Sequence, residues 1–251
     1  MLVMGILNVT PDSFADGGKH NDFESAVARG LEMIAEGVDI IDIGGESTRP
    51  GADRVSEAEE IARTIPVIKE LAKHGVKISI DTMRASTAEA AITAGASIVN
   101  DVSGGLADPL MLQTVARLKV PYIAMHWRGQ SKDMNSKAIY GDVVSDVISE
   151  LQERIDAALD AGISRDKLII DPGLGFAKDA DHNWAIIDAI DQFVSMGYPV
   201  LVGASRKRFL GGDSPDEREQ ATIDLTKRLA PTGVWAVRVH SVKPHKEVLS
   251  A

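Results

Sequence analysis

Polar and charged side chains recur along the chain at one kind of place, the point where an apolar, β-branched run stops. Asn8 follows the run from Leu2 to Leu7, and Glu46 to Arg49 follow VDIIDIGG. Asp81 closes VKISID, Asn100 and Asp101 close ASIVND, His126 closes VPYIAMH, and Asp171 closes KLIID. Ser205, Arg206 and Lys207 follow YPVLVGA, and Arg238 and His240 end VWAVRVH. Asp and Asn are ordinary turn formers, so any one of these junctions could be a plain turn. Lys207, Arg238 and His240 are not turn residues, and they make the set as a whole a candidate site.

Sorting the set by charge indicates what it could bind. Arg49, Arg206, Lys207, Arg238 and His240 are cationic or titratable in a chain of net charge −10. Guanidinium forks and N–H groups at helix starts suit phosphate oxygens. Asp81, Asp101, Asp171 and Asn100 are the opposing acceptors, and a carboxylate can take two parallel N–H bonds from an amino-substituted heterocycle. Guanine-like and pterin-like rings offer such an edge. The two sets together describe a ligand that joins a flat nitrogen heterocycle to an anionic group. Met125 and Phe176 stand beside the acceptors and could line a ring pocket, although core packing explains each equally well.

The elements that must carry these residues follow from the runs themselves. Eight strand candidates, rich in Val and Ile and apolar on both faces, alternate with stretches of helical period. In residues 22–37 the positions Phe23, Val27, Leu31 and Ile34 share a stripe, and Gly37 can end the helix. In residues 56–75, Ser56 with Glu59 reads as a capping box. There Ile61, Ile65, Ile68 and Leu71 form the buried side, Pro66 a kink and Gly75 the stop. Residues 143–162 repeat the plan with Val144, Ile148, Leu151, Ile155 and Leu159. Strand then helix, repeated over the whole length, predicts a (β/α)8 TIM barrel, with the polar strand ends gathered at its C-terminal mouth. A doubly wound open sheet is the competitor, weakened because no Gly-x-Gly-x-x-Gly follows the first strand. No linker or low-complexity tract divides residues 1–251, which read as one domain.

Composition narrows the function. The chain has 251 residues, 44% of them hydrophobic, and its pI is near 5.1. An acidic balance argues against non-specific binding to nucleic acid or to acidic membranes. The absence of cysteine removes disulfides, thiolate metal sites and thiol nucleophiles. No signal peptide is legible, and no apolar run approaches the ~18 residues of a membrane helix. A cytoplasmic protein without membrane or nucleic-acid partners is expected.

The blocks MGILNVTPDSFADGG, DIGGESTRPGA, SIDTMR, IVNDVSGG, DPGLGFAK, GASRKRFLG and RVH, in this order from Val3 to His240, closely resemble those of the dihydropteroate synthases. The resemblance implies a (β/α)8 barrel, a homodimer, and a transferase of folate biosynthesis. Its reaction joins 6-hydroxymethyl-7,8-dihydropterin pyrophosphate to p-aminobenzoate, giving 7,8-dihydropteroate and pyrophosphate. It further implies that Asp81, Asn100, Asp171, Lys207, Arg238 and His240 are catalytic. The pterin would meet Asp81, Asn100, Val102, Met125, Asp171, Phe176, Lys207 and Arg238. Pyrophosphate would meet Asn8, Arg49, Arg238 and His240, with Asn8 the protein ligand of a Mg²⁺. Asp12 and Phe14 on the first loop, and Thr48, Arg49 and Pro50 on the second, would close over p-aminobenzoate. The alternatives are a pterin-dependent methyltransferase barrel, which has no pyrophosphate to hold, and a non-catalytic pterin-binding paralogue. His245 is expected at the surface, and the stretch after Val242 has room for a short last helix only. His126 and Trp127 receive no role.

Overall fold

The computed structural model describes residues 1–10, 19–46, 54–130 and 134–250, without the side chains of 19–22 and 135. Eight strands carry the expected apolar runs: β1 (Leu2–Asn8), β2 (Ile40–Gly44), β3 (Lys77–Asp81), β4 (Ile98–Asp101), β5 (Tyr122–Met125), β6 (Leu168–Asp171), β7 (Leu201–Val202) and β8 (Ala236–Val239). Between and after them lie α1 (Lys19–Ala35), α2 (Glu57–Leu71), α3 (Ala85–Ala94), α4 (Met111–Leu118), α5 (Val143–Asp160), α6 (Ala180–Asp188), α7 (Ile190–Val194), α8 (Arg218–Leu229) and α9 (Val242–Ser250).

Every strand pair is parallel, and the order β6-β5-β4-β3-β2-β1-β8-β7 is consecutive around the sheet. A parallel bridge between Ile170 and Val200 joins β6 to the run into β7 and closes the ring. A doubly wound sheet would reverse its strand order part-way, and this one does not. The fold is the (β/α)8 TIM barrel.

Side chains alternate along each strand, so the barrel has an inner and an outer set. Outward, Ile41, Ile43, Ile78, Ile80, Tyr122, Ile170 and Val237 pack against the helices in the main core. Each such side chain stabilises the fold by roughly 1.5–3 kcal/mol. Inward, Met4, Ile40, Ile98, Ile123, Ile169, Leu201 and Ala236 form a separate apolar plug. Two residues further along the same strands, the inner positions become Asp42, Asn100, Asp171 and Arg238, all but Arg238 buried. The period of two that seals the barrel floor also sets a polar layer directly above it.

Helix faces differ from expectation in a consistent way. In α1 the innermost residues are Ala26, Gly30 and Met33, while Leu31 is 38% exposed. In α5 they are Val143, Val147, Leu151, Ile155 and Ala158, with Val144, Ile148 and Leu159 on the flanks. In α1 the small Gly30 lies against Leu71 of α2, where a Cβ would come within 2.5 Å of Leu71 Cδ1, so size sets the contact between neighbouring helices. In α2 the buried set includes Glu60 and Thr64, with Ile61 and Ile65 half-buried. Glu60 is turned inward because its carboxylate accepts from Thr82 Oγ1 at 2.6 Å, from Thr87 Oγ1 at 3.2 Å and from Arg84.

Ser56 caps α2, accepting from Glu59 N at 3.2 Å, and the Glu59 carboxylate pairs with Arg63. Pro66 lies inside α2 without ending it, and Gly75 follows a short 3₁₀ turn in the left-handed region at φ 74°. The last helix is short, as expected. His245 on it is not a surface residue: it is fully buried, its Nδ1 hydrogen-bonded at 2.8 Å to Thr226 Oγ1 of α8. The α8–α9 contact needs a polar partner there, which a spacing argument along one helix does not reveal.

Candidate active site

The polar layer is tied together across the barrel. Arg238 on β8 reaches over β1, donating from Nε to Asp42 Oδ2 at 2.6 Å and from Nη2 to Asp81 Oδ2 at 2.6 Å. Asn100 Nδ2 donates to the same Asp42 oxygen at 3.0 Å. A carboxylate only accepts, so this bond fixes the Asn100 amide and leaves its Oδ1 as the acceptor offered to the mouth. Burial would lower the Arg238 pKa, but Asp42 and Asp81 more than offset it and hold the guanidinium charged. Burial pushes the Asp81 carboxyl upward, with Asp42 adding to that and Arg238 opposing it. The short Arg238 contact favours its ionised form.

Asp171 closes the far side. Its Oδ1 accepts from Gly173 N at 2.7 Å, and burial raises its pKa against the pull of Gly173, Lys207 and Arg238. Lys207 donates to Leu174 O and stands 4.5 Å from the Phe176 ring centroid. Burial brings its pKa down to about 8, with Asp171 resisting. Gly175 permits this arrangement: at φ 74°, a Cβ there would lie 2.7 Å from Lys207 Cδ. Over these groups Met83, Val102 and Met125 cluster with Trp127 and Phe176, an apolar wall beside the acceptors. At the rim, Gly44 separates Asn8 from Asp81, its missing Cβ lying 3.8 Å from Asn8 Oδ1 and 3.5 Å from Asp81 Cβ. His240 Nδ1 is 2.9 Å from Ser205 Oγ, which also accepts from the His240 backbone N–H.

The structure therefore brings together Asn8, Asp81, Asn100, Val102, Met125, Asp171, Phe176, Lys207, Arg238 and His240. Asp12, Phe14, Thr48, Arg49 and Pro50 lie outside the described residues. Three expected members are elsewhere. Asp101 points outward, accepting from Ser103 N and Oγ, Gly105 N and Tyr122 Oη, because it follows the inward Asn100 by one residue. Arg206 turns to Glu219 and Ser241 on the α8 side, its backbone in the left-handed region at φ 58°. Glu46 is held by Arg54, Arg84 and the Val55 N–H at the foot of the second loop. Sequence reasoning missed Asp42, the hub of the layer. The signal was present: a lone carboxylate with Ile on each side, inside an apolar strand.

A family model described as pterin binding enzyme matches residues 4–240. The dihydropteroate synthase of Mycobacterium leprae is 49% identical over 257 aligned residues, covering 98% of this chain and 90% of that one. The chain belongs to the dihydropteroate synthase family. A Xanthomonas albilineans dihydropteroate synthase with 4-aminobenzoic acid superposes with a TM-score of 0.93 at 43% identity, over 99% of this chain and 90% of that one. The same organism's dihydropteroate synthase in complex with 7,8-dihydropteroate gives 0.90 at 40% identity, over 99% and 91%. As a dihydropteroate synthase the chain is a transferase, and its membership of that family sets the methyltransferase barrel aside. Among the described residues no helix is long and apolar enough to cross a membrane.

Proposed function

We propose that the mouth holds a dihydropterin pyrophosphate on the polar layer and transfers its methylene to the amine of p-aminobenzoate. The observation that carries this reading is the convergence of Asp81, Asn100, Asp171, Lys207 and Arg238 from five strand ends onto one apolar-walled cleft. Asp171 and Asn100 Oδ1 accept ring N–H groups, Lys207 donates to a ring acceptor, and Val102, Met125 and Phe176 line the ring. Arg238 lies over the ring with its guanidinium fixed by Asp42 and Asp81.

In the reaction the bond between the 6-methylene carbon and the diphosphate oxygen breaks, the electron pair leaving with the diphosphate. The positive charge spreads over methylene and ring, where the carboxylates of Asp81 and Asp171 stabilise it. The amine lone pair of p-aminobenzoate then forms the C–N bond and its proton passes to solvent. Arg238, Arg49 and His240 hold the diphosphate, and Asp12, Phe14, Thr48, Arg49 and Pro50 bound the p-aminobenzoate side. Sulfonamides, which resemble p-aminobenzoate, compete with it there.

The donors present fit a Mg²⁺ of the kind that keeps waters and leans on substrate phosphates. Asn8 supplies one hard amide oxygen at the rim, with no described hydrogen-bond partner, and no cluster of three acidic or histidine ligands occurs among the described residues. Bound there, Mg²⁺ would neutralise the departing diphosphate. The reading extends to a cytoplasmic homodimer, for which light scattering after gel filtration should give twice the chain mass.

The direct test is pyrophosphate release, measured with and without p-aminobenzoate. Release that depends on p-aminobenzoate is expected, and none in either case would mark a pterin-binding relic. Asp171→Ala should leave ring donors unpaired, weakening pterin binding by roughly 2–5 kcal/mol in a folded protein. Calorimetry that finds pterin binding unchanged would reduce Asp171 to a turn residue.

A further inference from the structure

Next to the mouth lies a buried chain of titratable groups that the proposed reaction does not use. Lys178, at the end of the loop after β6, is buried, and its Nζ approaches three acceptors: His126 Nδ1 at 2.8 Å, Gly173 O at 3.0 Å and Phe176 O at 3.1 Å. His126 Nε2 lies 2.9 Å from Glu150 Oε2 on α5, and Arg128 Nε holds the same carboxylate at 3.0 Å. The polarity of the chain is determined. A carboxylate accepts only, so His126 carries its proton on Nε2 and presents Nδ1 as an acceptor. Lys178 must then donate to it, and an ammonium has three N–H groups for three acceptors.

Two of those acceptors belong to the wall of the cleft. The Gly173 N–H fixes Asp171, and Phe176 packs with Val102 and Met125 under Lys207. Between Phe176 and Lys178 the loop passes through Ala177, a non-glycine residue in the left-handed region at φ 48°. Such a backbone persists only when its surroundings hold it. What holds it here is Lys178, together with Tyr140 Oη, which donates to Ala177 O at 2.9 Å.

We propose that Lys178, oriented by His126 and Glu150, is a positioning residue of the pterin cleft, its three N–H donors shaping the loop so that Asp171 and Phe176 meet the ring. This rests on the reading that the pterin occupies the cleft. It assigns Lys178, His126 and Glu150 a part in ring recognition although none of the three need touch the ring.

The arrangement has a consequence for pH. Burial pulls Lys178 down to about 7, with Asp171 and Glu150 resisting and Lys207 and Arg128 assisting. Tyr140 lies against the same loop and against Arg128 and His182, and Asp179 adjoins Lys178 at the start of α6. A neutral amine has two N–H groups for the same three acceptors, so one contact is lost as pH rises through that value. Ring affinity therefore weakens with rising pH. Without the Glu150 charge, Lys178 gives up its proton more readily, and the weakening moves to lower pH.

The experiment measures binding of 6-hydroxymethylpterin to the wild type, Lys178→Met, Glu150→Gln and Asp171→Ala across this range, with the p-aminobenzoate KM alongside. Glu150→Gln keeps an acceptor for His126, and comparison with the wild type removes the titration of the probe and of Lys207. Lys178→Met is expected to weaken ring binding by about tenfold below the transition, the effect of losing charge-assisted hydrogen bonds, with the p-aminobenzoate KM unchanged. Glu150→Gln is expected to shift the pH midpoint downward. Normal ring binding by Asp171→Ala would reduce Asp171 to a turn residue and sink the placement of the ring in this cleft, and this proposal with it. If Asp171→Ala binds weakly while a folded Lys178→Met binds as the wild type does, the proposal alone is overturned. An unmoved midpoint in Glu150→Gln overturns it equally, and decides the matter should Lys178→Met fail to fold.

Discussion

Asp42 shows how one side chain can organise a site without facing its substrate. Its Oδ2 receives both Arg238 Nε and Asn100 Nδ2, while its buried Oδ1 has no hydrogen-bond partner among the described residues. Replacing it by Asn keeps an acceptor of the same shape but removes the charge opposite Arg238. Asp42→Asn should cost about 1–3 kcal/mol in urea unfolding and weaken pterin binding, and a variant unchanged in both would deny Asp42 its organising role. His126 gives a residue-scale prediction of pH dependence. Burial first, then Lys178, holds it neutral, down to about 4 from an ordinary 6.5. Unfolded, it takes up a proton between those values that the folded chain does not, so folding stability falls as pH drops through that window. Thermal melts of the wild type and His126→Gln should diverge between the two values, the variant losing less. Parallel curves would show that His126 does not titrate on unfolding.

At the scale of elements, the strand ends are held in place by the helices behind them. The N-terminal part of α2 supplies Glu60, which binds Arg84 and Thr82 just beyond β3, and Arg84 in turn binds Glu46 and Val55 O on either side of the second loop. One buried carboxylate thus ties a helix, a strand end and both feet of a loop. Glu60→Ala should destabilise the fold by roughly 1–3 kcal/mol, because it takes a shared partner from the half-buried Arg84 guanidinium and the buried Thr82 hydroxyl, and chemical denaturation reads this directly. A loss below 1 kcal/mol would mean that Glu46 suffices for Arg84. The rotated faces of α1, α2 and α5 belong to the same scale. A hydrophobic stripe locates a helix's buried side to within one residue position, and the residue at the closest contact is chosen by size or by a polar partner.

For the whole molecule, closure of the barrel is what creates the site. Arg238 near the end of the chain meets Asp42 and Asp81 near its start only because β8 pairs with β1. Arg238 and Lys207 are thereby set among the carboxylates Asp42, Asp81 and Asp171, so cationic and acceptor groups share one mouth. The reaction as a whole should require Mg²⁺, since the departing diphosphate carries more charge than Arg49, His240 and an Arg238 already paired with Asp42 and Asp81 can balance. Turnover should cease in EDTA and return with added Mg²⁺, and full activity in a rigorously metal-free assay would remove the ion from the reading.

The sequence by itself determined the alternation of strands and helices and the ring of polar strand ends. Those features are local: a run's composition and the residue that stops it are visible without knowing what lies across the barrel. Which face each residue presents was decided by the tertiary structure. Asn100 and Asp101 are neighbours in sequence, yet the strand's period of two sends one into the mouth and the other into a loop. Asp42 is hidden for the complementary reason. A carboxylate within an apolar strand has meaning only once β8 brings Arg238 beside it, at a separation in sequence that no local pattern records.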